Sequence, residues 1–139
     1  MITLDRIPSR LEAGKKMHAT HRINIDAEDP LEAVRNITGG KMADIVVDAV
    51  GHDVYLLDLC MDLVKQQGTI LYFGLPDRDL YPHFPHLKFL RKNIRLVSSV
   101  GPEIDYDYPL ARDLIVQGRI NVKPLITHII PFTNPKKAF

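Results

Sequence analysis

Between Ala43 and Pro76 the chain reads ADIVVDAVGHDVYLLDLCMDLVKQQGTILYFGLP, and this stretch restricts the fold more than any other. Ile45, Val46, Val47, Ala49 and Val50 form a near-continuous apolar run, the pattern of a parallel strand covered on both faces. From Asp53 the period changes. Leu56, Leu57, Cys60, Leu63 and Val64 fall on one helical stripe, with Asp58, Asp62 and Lys65 off it. Gly68 is expected to end that helix, because a left-handed residue costs least at glycine. Thr69 to Phe73 then forms a second strand, stopped by Gly74 and Pro76. Two strands joined through a helix make a right-handed crossover, which implies a layered α/β sheet whose ligands gather where the strands end.

The segments on either side extend the same alternation. Ile2 to Leu4 reads as a strand ended by Asp5, and Ser9 with Glu12 three residues later predicts a capping box for a helix reaching Met17. Arg22 to Ile25 is a short strand. Asp29 should cap the next helix, with Pro30 at its first position and Leu31, Val34 and Ile37 facing inward. After a loop punctuated by Pro82 and Pro85, a short helix is expected over 86–92, an edge strand over 94–100 and a helix over 108–118. Lys123 to Pro131 is extended and too apolar to be left in water, so it expects another surface. The result is five or six strands, each followed by a helix or a glycine turn: a Rossmann-like, doubly wound α/β sheet.

A chain of 139 residues makes one domain, and 45% hydrophobic with 25% charged residues is ordinary for a globular protein. A net charge of +1 and isolated cation pairs such as Lys15-Lys16 give no field to draw nucleic acid or an anionic membrane. No apolar run approaches the ~20 residues of a membrane span, and the N-terminus has no signal-peptide pattern, so a cytoplasmic protein is expected. Cys60 is the single cysteine and lies on an apolar stripe, which suits a small buried hydrophobe rather than a nucleophile.

Among polar residues Asp5 is the most informative, since an acid at the end of the second strand of a dinucleotide-binding fold accepts hydrogen bonds from the adenosine ribose. A turn or capping role is the alternative for it. Arg10, five residues on, could reach the same ribose. Gly51 and Gly74 each close a predicted parallel strand at the edge where a cofactor would lie, though either could simply make a turn. His18 with His21, and His83 with His86, mimic ligand spacing, but each pair supplies two donors where zinc wants three or four. No Gly-x-Ser-x-Gly elbow is present.

Taken in order, these segments resemble the nucleotide-binding domain of the zinc-type medium-chain alcohol and polyol dehydrogenase family. The matching residues are Leu4-Asp5 with Arg10-Leu11, Ala43 to Gly51, Gly68 to Gly74, and Pro124 to His128 with Pro131-Phe132 and Ala138-Phe139. By that resemblance Asp5 and Arg10 would hold the ribose of NAD in preference to NADP. Ala49, Val50 and Gly51 would line the adenine side, and Phe73, Gly74 and Leu75 would border the nicotinamide. Ser98, Ser99 and Val100 match a strand whose backbone meets the carboxamide and which pairs with its mate across a dimer. The family's glycine-rich turn should precede Asp5 by about 20 residues, whereas this chain starts four residues before it. The family's zinc-ligand cluster has no counterpart, so zinc is expected only in an intact parent enzyme.

The resemblance therefore implies a partial dinucleotide-binding domain over 1–122 and, over 123–139, the start of a return segment toward a catalytic domain. Such a chain would carry the NAD-binding portion of an oxidoreductase moving hydride from an alcohol or polyol to NAD, and would not be catalytic alone. A non-catalytic dimerising or nucleotide-sensing module is the alternative, with a methyltransferase-like domain ranked last. If the strand order is the usual one, residues 2–5 and 44–50 flank the place of the sheet's first strand. Either those two strands pair directly or a partner's segment fills the gap.

Overall fold

The computed structural model describes residues 1–51, 55–77, 79–133 and 135–138. Five strands and five helices alternate along it: β1 (Ile2–Asp5), α1 (Pro8–Lys16), β2 (His21–Asn24), α2 (Pro30–Ile37), β3 (Ala43–Asp48), α3 (Leu56–Leu63), β4 (Val64–Tyr72), α4 (His86–Arg91), β5 (Arg95–Ser98) and α5 (Asp107–Val116). Every strand pair is parallel. The α/β alternation read from the sequence is the observed fold class, Rossmann-like parallel sheets with flanking helices. The start of the α3 stripe at Asp53, Arg78 of the proline loop, and Phe139 lie outside the described residues.

The strands do not form one continuous sheet. β1 pairs with β2 alone, and β3, β4 and β5 make a second sheet in that order. Direct pairing of residues 2–5 with 44–50 is therefore corrected: the two edges share a core instead of a ladder. Ile2 and Leu4 from β1 and Val46 from β3 pack on the same cluster of Ile23, Val34 and Leu63, to which α2 and α3 contribute. A second cluster of Leu57, Cys60, Met61, Val64, Ile70 and Ile94 fills the space between α3, β4 and the lead into β5. Met61, Val64 and Ile70 are wholly buried, and each such side chain contributes about 1.5–3 kcal/mol by leaving water.

α1 lies on the opposite face, where Thr3 of β1 meets Gly14. Among the described residues nothing comparable covers that face of β3: Ile45 is 64% exposed and Val47 54%. The apolar run predicted a strand covered on both sides, but alternate residues face the core and solvent, because α2 and α3 cover one side only.

Three local expectations also change. α1 has Ile7 at its N-cap with no side-chain cap, so Ser9 and Glu12 do not form the expected box. The Asp5 carboxylate accepts from Ile7 N at 2.9 Å instead and shapes the turn into the helix. α3 stops at Leu63, and the chain enters β4 at once; Gln67, at φ 59°, takes the left-handed conformation expected of Gly68. Gly68 sits within β4, over the Val64 side chain, where a Cβ would come within 2.5 Å of Val64 Cγ2. The segment 123–131 opens with a short 3₁₀ turn, Lys123–Leu125, before Ile126 takes the extended conformation. The cap on α2 is as read: Asp29 Oδ1 accepts from Glu32 N at 2.8 Å, with Pro30 opening the helix.

Candidate functional site

The carboxyl ends of β3, β4 and β5 are level, because Asp48 stands opposite Tyr72 and Tyr72 opposite Ser98. Just beyond that line lie three predicted groups: Ala49 to Gly51, Phe73 to Leu75, and Ser99 with Val100. In parallel α/β sheets this edge is where ligands bind. The first two groups are in direct backbone contact. A Cβ added to Gly51 would strike Gly74 C and Leu75 N and O, and one added to Gly74 would lie 2.7 Å from Gly51 Cα and Val50 C. Gly51 also has φ +78°, a conformation that L side chains adopt at a cost. The two glycines are thus required by each other, a reason the sequence did not disclose.

One residue ties both turns together, its carboxylate holding one and its main-chain carbonyl the other. Asp48 is 3% exposed, the one buried charged residue among those described. Its Oδ1 accepts from Val50 N at 2.9 Å and Gly51 N at 3.1 Å. Its main-chain carbonyl accepts from Phe73 N at 3.0 Å and Gly74 N at 2.8 Å. Sequence reading passed over Asp48 as part of the strand. The available signal was an acid at a strand end with glycine three residues later, the pattern of a side chain bonding its own following backbone.

The same region is electrostatically closed to thiol chemistry. Burial, and secondarily the Asp48 charge, push the Cys60 thiol up to about 12, so it stays protonated as a core residue. The Tyr72 hydroxyl is raised by the same two causes in the same order. Ser99 N donates to Tyr72 O at 3.4 Å, tying the β5 exit to β4.

Asp5 and Arg10 sit together at the end of β1, with Arg10 Nη1 3.6 Å from Asp5 Oδ2. They belong to the other sheet, so the structure assembles the predicted residues as two separate groups. The histidine pairs have other neighbours: His83 stacks on Tyr55 with ring centroids 5.6 Å apart, and His21 Nδ1 lies 3.2 Å from Thr20 Oγ1. Among the described residues no three His, Cys, Asp or Glu side chains converge on a point that could hold a metal.

A loop and a helix, α4, anchor α3. Tyr81 Oη accepts from Leu57 N at 3.1 Å, at the start of α3. Lys88 Nζ reaches Asp58 at 2.6 Å and Asp62 at 2.8 Å. Desolvation opposes the Lys88 charge, but the two carboxylates outweigh it and its pKa is raised. Lys92 Nζ donates to the carbonyls of Met61 at 2.7 Å and Val64 at 2.6 Å, closing the end of α3. Its pKa is lowered chiefly by desolvation.

Residues 1–117 match the family model described as zinc-binding dehydrogenase. Sorbitol dehydrogenase 1 of Saccharomyces cerevisiae is 30% identical over all of this chain, which covers 40% of that protein. The solved alcohol dehydrogenase TADH from Thermus sp. ATN1 superposes with a TM-score of 0.86 at 25% identity, over 99% of this chain and 39% of that one. An alcohol dehydrogenase from Escherichia coli CFT073, solved with NADH, shares the fold at a TM-score of 0.82 and 24% identity, over 99% of this chain and 39% of its own. The chain spans about two fifths of the length of these curated relatives. On this evidence the chain belongs to the zinc-type medium-chain alcohol and polyol dehydrogenase family.

Proposed function

We propose that this chain is the NAD-binding portion of an oxidoreductase that transfers hydride from an alcohol or polyol to NAD, and that it is not catalytic alone. The observation that carries this reading is the pair of glycine turns locked together beyond the level ends of β3 and β4, in a chain of this family. Residues 1–122 form the dinucleotide-binding unit, and 123–139 lead toward a catalytic domain. The chemistry that bound NAD supplies is hydride acceptance; this chain's residues bind and orient it. Asp5 and Arg10 hold the adenosine ribose, and the Asp5 charge disfavours a 2′-phosphate. Ala49, Val50 and Gly51 line the adenine side, while Phe73, Gly74 and Leu75 border the nicotinamide. Ser98, Ser99 and Val100 present backbone to the carboxamide.

The protein works in the cytoplasm as a homo-oligomer, joined through the β5 edge or through the edges of β1 and β3 that are unpaired among the described residues. Unpaired edges recruit strands. No helix among the described residues is long and apolar enough to cross a membrane, and the near-neutral charge argues against nucleic acid. Titration calorimetry with NAD and NADP tests the reading. NAD should bind more tightly than NADP, and Asp5→Ala should weaken NAD and narrow that preference. No binding of either cofactor would favour the rival, a dimerising or sensing module that retains the fold.

A further inference from the structure

We infer that Asp48 is a positioning residue, whose carboxylate sets the backbone of the turn at 49–51 and, through it, the seat that Gly51 offers to Gly74. This rests on the cofactor-binding reading above and deepens it. Asp48 is 3% exposed, and a carboxylate so far from water persists only where its acceptor sites are used. Here one oxygen takes two successive amides, Val50 N and Gly51 N. These bonds hold Gly51 at φ +78°, the conformation that lays its backbone against Gly74 and Leu75. The Asp48 carbonyl fixes the other turn through Phe73 N and Gly74 N. A single residue thus ties together the two strand ends, by its side chain on one side and its main chain on the other. Removing the carboxylate frees one buried and one part-buried amide and leaves the left-handed turn without its template, while the main-chain half of the clamp stays.

The chemistry required of position 48 is an acceptor at Oδ1, which asparagine retains and alanine lacks. Amide hydrogen exchange on the whole chain, resolved at Val50, Gly51, Phe73 and Gly74, tests this. D48A should speed exchange at Val50 and Gly51 by about tenfold or more, the loss expected for a charge-assisted bond. D48N should restore protection to within about threefold of the parent. Should D48A fail to fold, D48L keeps the branched shape, at a larger volume, without an acceptor and is expected to show the same acceleration. Unchanged exchange in the variants lacking the acceptor, or equal acceleration in D48N, would overturn the inference. Calorimetric NAD affinity measured alongside separates the two readings. If the parent chain binds no NAD but exchange responds as stated, the positioning role of Asp48 stands and the cofactor reading falls. If the parent binds NAD, D48A should lose about tenfold in affinity and D48N should recover most of it.

Discussion

The chain up to Ile94 and the chain after it obey different rules. Every buried residue among those described lies at or before Ile94. Beyond it, β5 is exposed at all four positions and α5 buries nothing, although Val100, Ile104, Val116, Ile129 and Phe132 are all apolar and largely exposed. The two regions do not differ in a shortage of apolar side chains. They differ in whether a second surface meets them. Up to Ile94, helices return over a parallel sheet and close two clusters. After it, the same kinds of residue stand on an edge strand and a helix with no layer on top among the described residues.

The largest expected effect breaks the comparison at its root. Ile70→Ala removes a wholly buried side chain and should cost about 2–5 kcal/mol in urea denaturation. Phe132→Ala, at a residue 97% exposed, should stay within about 0.5 kcal/mol. A large loss at Phe132 would show that the later region has its own core. Next comes Gly51→Ala, which meets both a strained φ and the backbone of Gly74 and Leu75. It should cost about 1–3 kcal/mol, read as a lowered melting midpoint.

A smaller effect concerns pH. The Cys60 thiol is raised by burial to about 12 in the folded chain, so unfolded chains lose that proton first as pH rises. The stability it represents is complete below the ordinary thiol range and is lost progressively up to about pH 12. Alkylation of Cys60 at pH 8 should accordingly be slow in the native protein and fast in urea. The least effect is expected at the surface. Lys88→Ala, which breaks a partly buried bridge to Asp58 and Asp62, should lower stability by about 1 kcal/mol, whereas Arg112→Ala, at an exposed pair, should change it by less than about 0.5 kcal/mol. Equal effects at the two would mean that α4 is no better anchored than α5.

Much of the fold was legible because local rules agreed with it. Asp29 and Pro30 begin α2 as their chemistry demands, and the stripe of Leu57, Cys60 and Leu63 faces the core. The errors fall where a distant contact overrode a local preference. Ser9 lies inside α1 and not at its N-cap, because the turn shaped by the Asp5 carboxylate starts the helix at Pro8. Gly68 went into a strand because it crosses over Val64. Of the site, Gly51 and Gly74 could be picked out, but their reason could not: it is their contact with each other, and no spacing in the chain encodes it.

Taken alone, the sequence determined the alternation of strand and helix, the βαβ crossover from Ala43 to Pro76 and the family, since periodicity and short motifs are properties of neighbours along the chain. Only the tertiary structure decided that β1 and β3 meet through a shared core rather than a ladder, that one face of β3 stays open, and that a buried Asp48 governs both glycine turns. Those depend on which surfaces are left to cover which. Burial and strand pairing are settled between residues far apart in sequence, where no local pattern can reach.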